Sequence, residues 1–468
     1  MYKERIEAYM REHRQEFVED ICELCRINSE KMPPEEDMPY GPGAAECLDA
    51  ALDMAEGYGL ETVDYDGYVG CVDFDGTLPR QLDILAHLDV VPAGEGWTVT
   101  GAYDPVEQDG KVYGRGTADD KGPAVAGLYA IRCVRELGIP LKKNVRLILG
   151  TDEECGSSDI RYYYSKEEEA PMTFSPDGEY PVVNVEKGRL AGHFTAGFDP
   201  SGALPRLVKV EAGVKTNVVP GKARAQVEGL DPAVLEEKAK DVESRTGVRF
   251  LLEQEGALCT VTAVGEGAHA STPEEGNNAL TGLLALVCEL PLAPCRQTEL
   301  VRDLAGLMPH GDVHGTALGV DMEDAVSGRI TLAFSMLTVD ASGLDGEFDS
   351  RVPVCGNEDN VLKVVKARMA EKGLALLNDS MTPPHQVDAD SDFVKTLLKV
   401  YERYTGREGK CLAIGGGTYV HSLKNGVAFG ASMPGTDNRM HGADEFAVVE
   451  ELLVSAAMFA QIIVELCG

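Results

Sequence analysis

Residues 82–89 read Leu82-Asp83-Ile84-Leu85-Ala86-His87-Leu88-Asp89, a short apolar run that delivers a histidine and a carboxylate at its end. Leu82 to Ala86 has the length and near-continuous apolar character of a buried strand. Downstream, Pro123 to Leu137 carries a helical pattern, with Asp119 and Asp120 as candidate caps before it and Gly138 as its stop. Val145 to Gly150 is a second apolar strand. Strand, helix and strand in this order predict an α/β layered domain with a mostly parallel sheet.

Working toward the N-terminus, Ile6, Met10, Phe17, Ile21 and Leu24 recur at helical steps and predict one amphipathic helix. A loop rich in Pro and acid, Met32 to Pro42, follows it. Toward the C-terminus the character changes near Glu186. There Lys222 to Glu228 alternates like a strand, Asp231-Pro232 opens a helix to Thr246, and Val248 to Leu252 reads as a strand. The same unit recurs as alternation over Gly346 to Val354, a helix over Asn357 to Lys372 and a strand at Leu374 to Leu377. These copies predict an inserted α+β domain of two similar halves. The αβ pattern resumes with helices at Asp392 to Tyr404 and from Asp444 to about Leu466, with Gly415-Gly416-Gly417 between them. The expected organisation is a discontinuous catalytic domain, 1–185 and 380–468, embracing an insertion at 186–379.

The chain has 468 residues, of which Lys+Arg number 43 and Asp+Glu 78, for a net charge of −35. That sign disfavours nucleic acid and anionic membranes as partners. No apolar run is long enough to cross a bilayer, and the segment MYKERIEAYMREHRQEF lacks the apolar core of an export signal, so a cytoplasmic location is expected. The 12 cysteines are irregularly spaced and read as reduced thiols. Cys22 and Cys25 form a lone C-x-x-C within a helical stretch and read as packing.

Several chemically loaded segments follow apolar runs, where a rigid sheet can fix them. In Ala86-His87-Leu88-Asp89, alternation puts His87 and Asp89 on one side, so the carboxylate can hold one imidazole nitrogen while the other binds a metal. In Gly114 to Gly122, flanking glycines allow Asp119 to approach a buried centre. Gly150-Thr151-Asp152-Glu153-Glu154 follows the second strand, and Ser175-Pro176-Asp177-Gly178 and Met440-His441-Gly442-Ala443-Asp444-Glu445 complete the set. Singly, these are surface pairs, helix starts and turns. Jointly, they suit a dinuclear centre in which one carboxylate bridges and each ion receives one His. Glu153 and Glu154 point to opposite sides of an extended chain and so serve different tasks.

The segments AHLDVVPAG, GRGTADDKGP, GTDEECGS, SPDGEYP and MHGADE, in this order, resemble the metallopeptidase family that contains carnosinase, aminoacylase and carboxypeptidase G2. The likeness is strongest to its bacterial, PepV-like dipeptidase branch. The resemblance implies that His87 and Asp177 hold one ion, His441 and Glu154 the other, and Asp119 bridges. It makes Asp89 the residue that orients His87, and Glu153 the general base. The implied cofactor is a pair of divalent ions, Zn²⁺ first, with Mn²⁺ or Co²⁺ as substitutes. Two such ions share a water, lower its pKa and polarise the scissile carbonyl of a small peptide substrate.

In the inserted domain, Gly265 to Pro273 resembles the segment whose histidine, here His269, stabilises the oxyanion. Asn217, within Thr216 to Pro220, resembles a substrate-contacting Asn, and Arg351, within Asp349 to Pro353, the Arg that grips the substrate α-carboxylate. Gly415-Gly416-Gly417-Thr418 lacks the Lys of a phosphate loop. In the resemblance its backbone donors, around Gly416 and Thr418, meet the substrate's C-terminal end. His421 departs from the pattern, since related dipeptidases usually carry Arg there, and Cys155 is expected to be a buried spectator. The implied activity is that of a monomeric dipeptidase with the insertion as a lid. The alternative is an N-acyl-amino-acid deacylase or carboxypeptidase using the same ions. A non-catalytic relative would lack a ligand or the base, and none is missing.

Overall fold

A computed structural model describes residues 2–468. The chain divides into two compact units, one comprising the residues up to Val185, Gln386–Ala413 and Gly417–Gly468, the other Glu186–His385 and Ile414–Gly416.

The centre of the first unit is a mixed sheet. Its strands run in the order Glu61–Tyr65, Val69–Asp73, Asn144–Gly150, Arg80–His87, Met172–Ser175 and Gly426–Ala428, before the Val182–Glu186 strand and the far edge. The strand Arg80–His87 is parallel to both of its neighbours, and Gly426–Ala428 is parallel to Met172–Ser175. Alternation along Arg80–His87 decides the layers. Leu82, Ile84 and Ala86 enter the core shared with the helices Lys121–Glu136 and Val449–Cys467. Leu85 enters a smaller core on the opposite face with Ile148, Tyr163, Tyr419 and Val420. Helical and loop layers on both faces explain why these strands are apolar throughout.

Four local expectations change. The N-terminal stretch forms two helices, Lys3–Glu12 and Arg14–Cys25, that meet at His13, although Ile6, Met10, Phe17, Ile21 and Leu24 are all buried as one stripe. Asp119 and Asp120 give no side-chain cap to the helix Lys121–Glu136, because both carboxylates are engaged elsewhere. The C-terminal helix begins at Val449 rather than Asp444, because Phe446–Val448 pairs as a strand with Lys111–Tyr113. All 12 cysteines are free thiols, with Cys22 and Cys25 buried and Cys155 exposed in the turn after Glu154, against its expected burial.

The second unit is built on an antiparallel sheet whose order shows its internal repeat. The strand Lys222–Glu228, the helix Pro232–Thr246 and the strand Arg249–Glu255 form one half, with Leu258–Val264 inserted between the two strands. In the other half, Gly343–Val352, a helix ending in Lys363–Ala370, and Ala375–Leu376 enclose Gly188–Gly197 in the same manner. The halves meet where Arg206–Ala212 pairs with Thr331–Val339. The helix Pro232–Thr246 begins at an Asp231 cap and ends at Gly247, whose φ of 71° needs glycine.

Gly192 lies directly opposite Phe348 in the sheet, and a Cβ there would stand 2.1 Å from the Phe348 ring. Gly192→Ala should therefore overpack this core and lower stability by about 1–3 kcal/mol, read as a lower urea midpoint. A second outcome concerns Asp83, fully buried, with Arg80 Nε 3.6 Å away. Burial pushes this carboxyl up to about 7, opposed by the cations of Arg80 and Arg146. Its folded pKa is raised, so its contribution to stability is complete below about pH 4 and is lost as pH rises through about 7. Asp83→Asn should remove that loss, and its stability relative to the native chain should climb between pH 4.5 and 8 in paired urea titrations.

Candidate active site

His87 is the last residue of its strand and is fully buried. Its Nδ1–H donates to the backbone carbonyl of Asp89 at 3.0 Å, closer than the Asp89 carboxylate at 3.5 Å. This bond fixes the tautomer and leaves Nε2 to face the site. The Asp89 carboxylate instead accepts the backbone N–H groups of Glu153, at 3.0 Å, and Glu154, at 3.1 Å. Asp89 thus ties the loop after one strand to the end of its neighbour.

Asp119 stands between two histidines. Its Oδ1 lies 3.0 Å from His87 Nε2 and its Oδ2 lies 2.9 Å from His441 Nε2. Glu154 Oε1 is 3.1 Å from the same His441 nitrogen, and Asp177 Oδ2 is 3.9 Å from His87 Nε2. Two sets of side chains therefore share Asp119, namely His87, Asp119 and Asp177, and Asp119, Glu154 and His441. In each, one potential ligand atom per residue lies within 4.8 Å of the others. Imidazole nitrogen and carboxylate oxygen suit Zn²⁺, Mn²⁺ or Co²⁺. His87 closes the inner end, whereas the His441 side chain is 59% exposed and forms the rim. His441 has a left-handed backbone, φ 63°, a conformation that costs a non-glycine residue energy and recurs at functional sites.

The charge balance of this cluster is uneven. Hydrogen bonds to Asp119 and Glu154 push His441 up to about 10. Burial opposes protonation of His87, but Asp119 and Asp89 hold its pKa well above the ordinary imidazole value. Burial likewise works against the Asp119 anion, yet the two histidines keep its carboxyl well below the usual range. A divalent cation competes with protons for these same lone pairs, so binding one releases protons. Glu153 belongs to neither ligand set. Burial first, and then the charge of Asp177, raise it well above the usual carboxylate range.

The structure thus gathers His87, Asp89, Asp119, Glu153, Glu154, Asp177 and His441 within the first unit. The remaining candidates divide. Thr418 belongs to the first unit, where its side chain caps the short helix Tyr419–Ser422. His269, Asn217, Arg351 and Gly416 belong to the second. There the two-residue strands Val218–Val219 and Ala268–His269 pair, and the Asn217 carbonyl accepts Ala270 N–H at 2.9 Å, so His269 and Asn217 share one ribbon. Ser271 N–H donates to His269 Nδ1 at 3.2 Å, which leaves the ring proton on Nε2. Arg351 donates from Nε to Asp349 at 2.6 Å and from Nη1 to the Gly415 carbonyl. The fully buried Asp349 also accepts from Arg189 Nε at 2.7 Å.

Two supports were not singled out from the sequence. Asp120, fully buried, accepts the backbone N–H of His87 at 3.1 Å. Asp159 accepts the N–H groups of Thr151, at 2.6 Å, and Asp152, at 2.9 Å, and also the hydroxyl of Tyr419. A Cβ on Gly150 would collide with that hydroxyl. The one available signal was the doubled Asp after Ala118. Asp159, in an unremarkable helix start, gave none.

The family model described as Peptidase family M20/M25/M40 matches residues 84–465. A Bacillus subtilis (strain 168) protein named "Putative dipeptidase YtjP" is 35% identical over 461 residues, which is 97% of each chain. The "Beta-Ala-Xaa dipeptidase" of Lactobacillus delbrueckii subsp. lactis is 34% identical over 455 residues, 96% of each chain. Among solved structures, human carnosine dipeptidase 1 aligns with a TM-score of 0.61 at 15% identity, covering 100% of this chain and 99% of its own. This last likeness is one of fold.

Because Asp119 belongs to both ligand sets, Asp119→Ala should reduce bound zinc from about two ions per chain to well under one. His441→Ala should retain about one, on the His87 side. Elemental analysis after equilibrium dialysis at micromolar zinc checks both values.

Proposed function

The chain belongs to peptidase family M20/M25/M40, and from that premise we propose that it is a metal-dependent dipeptidase that hydrolyses free dipeptides. The observation that carries the reading is one carboxylate, Asp119, shared by two His/carboxylate sets, with a second carboxylate, Glu153, beside them but outside both. The dipeptidase names of two relatives that match nearly end to end support the substrate class.

When bound, a pair of divalent ions would lower the pKa of a water and polarise the scissile carbonyl. The chain's residues perform the rest. His87 and Asp177 would hold one ion and His441 and Glu154 the other, with Asp119 common to both. Glu153 takes the proton of the attacking water and delivers it to the leaving amine. Asp89 keeps His87 and the Glu153–Glu154 backbone in register. On the motifs that carry them, we assign His269 to the oxyanion, for which an Nε2–H donor is the suitable tautomer. Asn217 is assigned to the substrate backbone, Arg351 to its α-carboxylate, and Gly416 and Thr418 to its C-terminal end. The insertion would act as a lid in a cytoplasmic monomer.

Purified chain supplied with Zn²⁺, Mn²⁺ or Co²⁺ should cleave dipeptides with a free amine far faster than N-acetyl-amino acids. The reverse preference would make it a deacylase. Glu153→Gln should lower kcat by about 10²–10⁴-fold while zinc content stays at the native value. Near-native turnover in that variant would remove Glu153 from the role of base.

A further inference from the structure

Glu445 lies beyond His441 in the same C-terminal segment and is fully buried at 0% exposure. Its bonds run to the segment that bears Asp119. Oε1 accepts the backbone N–H groups of Gly116 at 3.0 Å, Ala118 at 3.1 Å and Asp119 at 3.3 Å. Oε2 receives Nη1 of Arg115, and the Glu445 carbonyl accepts Gly114 N–H at 3.0 Å. Arg115 is itself 1% exposed, and its Nη2 reaches the carbonyls of Pro92 at 3.3 Å and Ala93 at 3.4 Å, shortly after His87 and Asp89. One carboxylate–guanidinium pair therefore joins the three segments that carry His87, Asp119 and His441.

We propose that Glu445, acting with Arg115, is a positioning residue that sets Asp119 between the two histidines and so governs the affinity of both ion sites. This rests on the metal reading above. Glu445 belongs to neither ligand set, and it acts through the backbone of Asp119. The demand on that backbone is unusual, because a ligand shared by two ions transmits any displacement to both. Outer partners of metal ligands typically change affinity by about 10–100-fold when removed. The chemistry also calls for a carboxylate, since both of its oxygens must accept. In a glutamine of the same shape, an NH₂ would face either Arg115 or the three backbone N–H groups, donor against donor.

The test is zinc affinity of the full-length chain, by competition with a chromophoric chelator, beside the thermal midpoint of chelator-treated protein. Glu445→Gln should weaken zinc binding by about 10-fold or more, and because it breaks a buried ion pair it should also lower the midpoint of the chelated protein while leaving it folded at the assay temperature. If Glu445→Gln does not fold, Arg115→Lys keeps a cation opposite Glu445 but gives up the reach to Pro92 and Ala93, and should shift affinity in the same direction. Affinity within about twofold of native, or a loss equalled by Gly192→Ala, which lowers stability away from the ion cluster, would overturn the proposal. A native chain that binds no zinc sinks the metal reading and this one together. A chain that binds zinc in the expected pattern yet cleaves no dipeptide overturns only the proposed substrate.

Discussion

The Asp119 carboxylate, with one oxygen 3.0 Å from His87 and the other 2.9 Å from His441, is the contact around which the rest is arranged. Asp119 is 8% exposed, and a buried anion is costly unless cations or donors compensate it. Here the compensation comes from two imidazoles on opposite sides, and the same geometry lets one carboxylate serve two cations. Neither histidine belongs to the Asp119 segment, so the arrangement holds only if distant parts of the chain are fixed to one another. Asp120 on the N–H of His87, Asp89 on the N–H groups of Glu153 and Glu154, and Asp159 on those of Thr151 and Asp152 are all carboxylate-to-backbone ties of that kind.

Sheet topology explains why the ligands converge at all. Asn144–Gly150, Arg80–His87 and Met172–Ser175 are adjacent and parallel, so their C-terminal ends lie along one edge. Glu154, His87 and Asp177 sit at or just beyond those ends, and His87 is directly in register with Gly150. Neighbouring strands are about 4.8 Å apart, the scale on which side chains from successive strands share an ion. An antiparallel arrangement would have sent alternate loops to opposite edges. Parallel order is possible because the intervening chain returns through structure on the faces of the sheet, including the helix Lys121–Glu136, and Asp119 is placed at the entrance to that helix.

His87, Glu154 and Asp177 were legible because each follows an apolar run, which reports its own burial, whereas Asp119 and His441 were carried by the ordered motifs GRGTADDKGP and MHGADE. Hydrogen-bond partners were not legible in this way. Nothing in Ala86-His87-Leu88-Asp89 distinguishes an imidazole held by the Asp89 carboxylate from one held by its carbonyl, and the structure has the latter at the shorter distance. Asp119 and Asp120 looked like helix caps because capping is a local rule, whereas their partners, His87 and His441, are remote in sequence. The start of the last helix was misread for the same reason, since only pairing with Lys111–Tyr113 holds Phe446–Val448 extended. The repeat in the insertion was legible as two strand–helix–strand units. That the second encloses the incoming strand Gly188–Gly197 was not, because the closing strand precedes the repeat in the chain.

In the proposed mechanism the tandem Glu153-Glu154 supplies two different functions from one short segment. The two oxygens of a single carboxylate, Asp89, take the two consecutive backbone N–H groups, which fixes both peptide units at once. With the backbone pinned, the side chains have little freedom to exchange places. Glu154 reaches the nitrogen of His441, and Glu153 stays out of both ligand sets, where burial and the charge of Asp177 raise its affinity for a proton. A base is useful when it can both take and return a proton, and a carboxylate with an elevated pKa takes one from a water more readily than an unperturbed one, while a leaving amine is basic enough to accept it afterwards. On the proposed roles, the separation of ligand from base follows from the way Asp89 pins both peptide units, and either glutamate replaced alone should affect a different quantity: ion content for Glu154, turnover for Glu153.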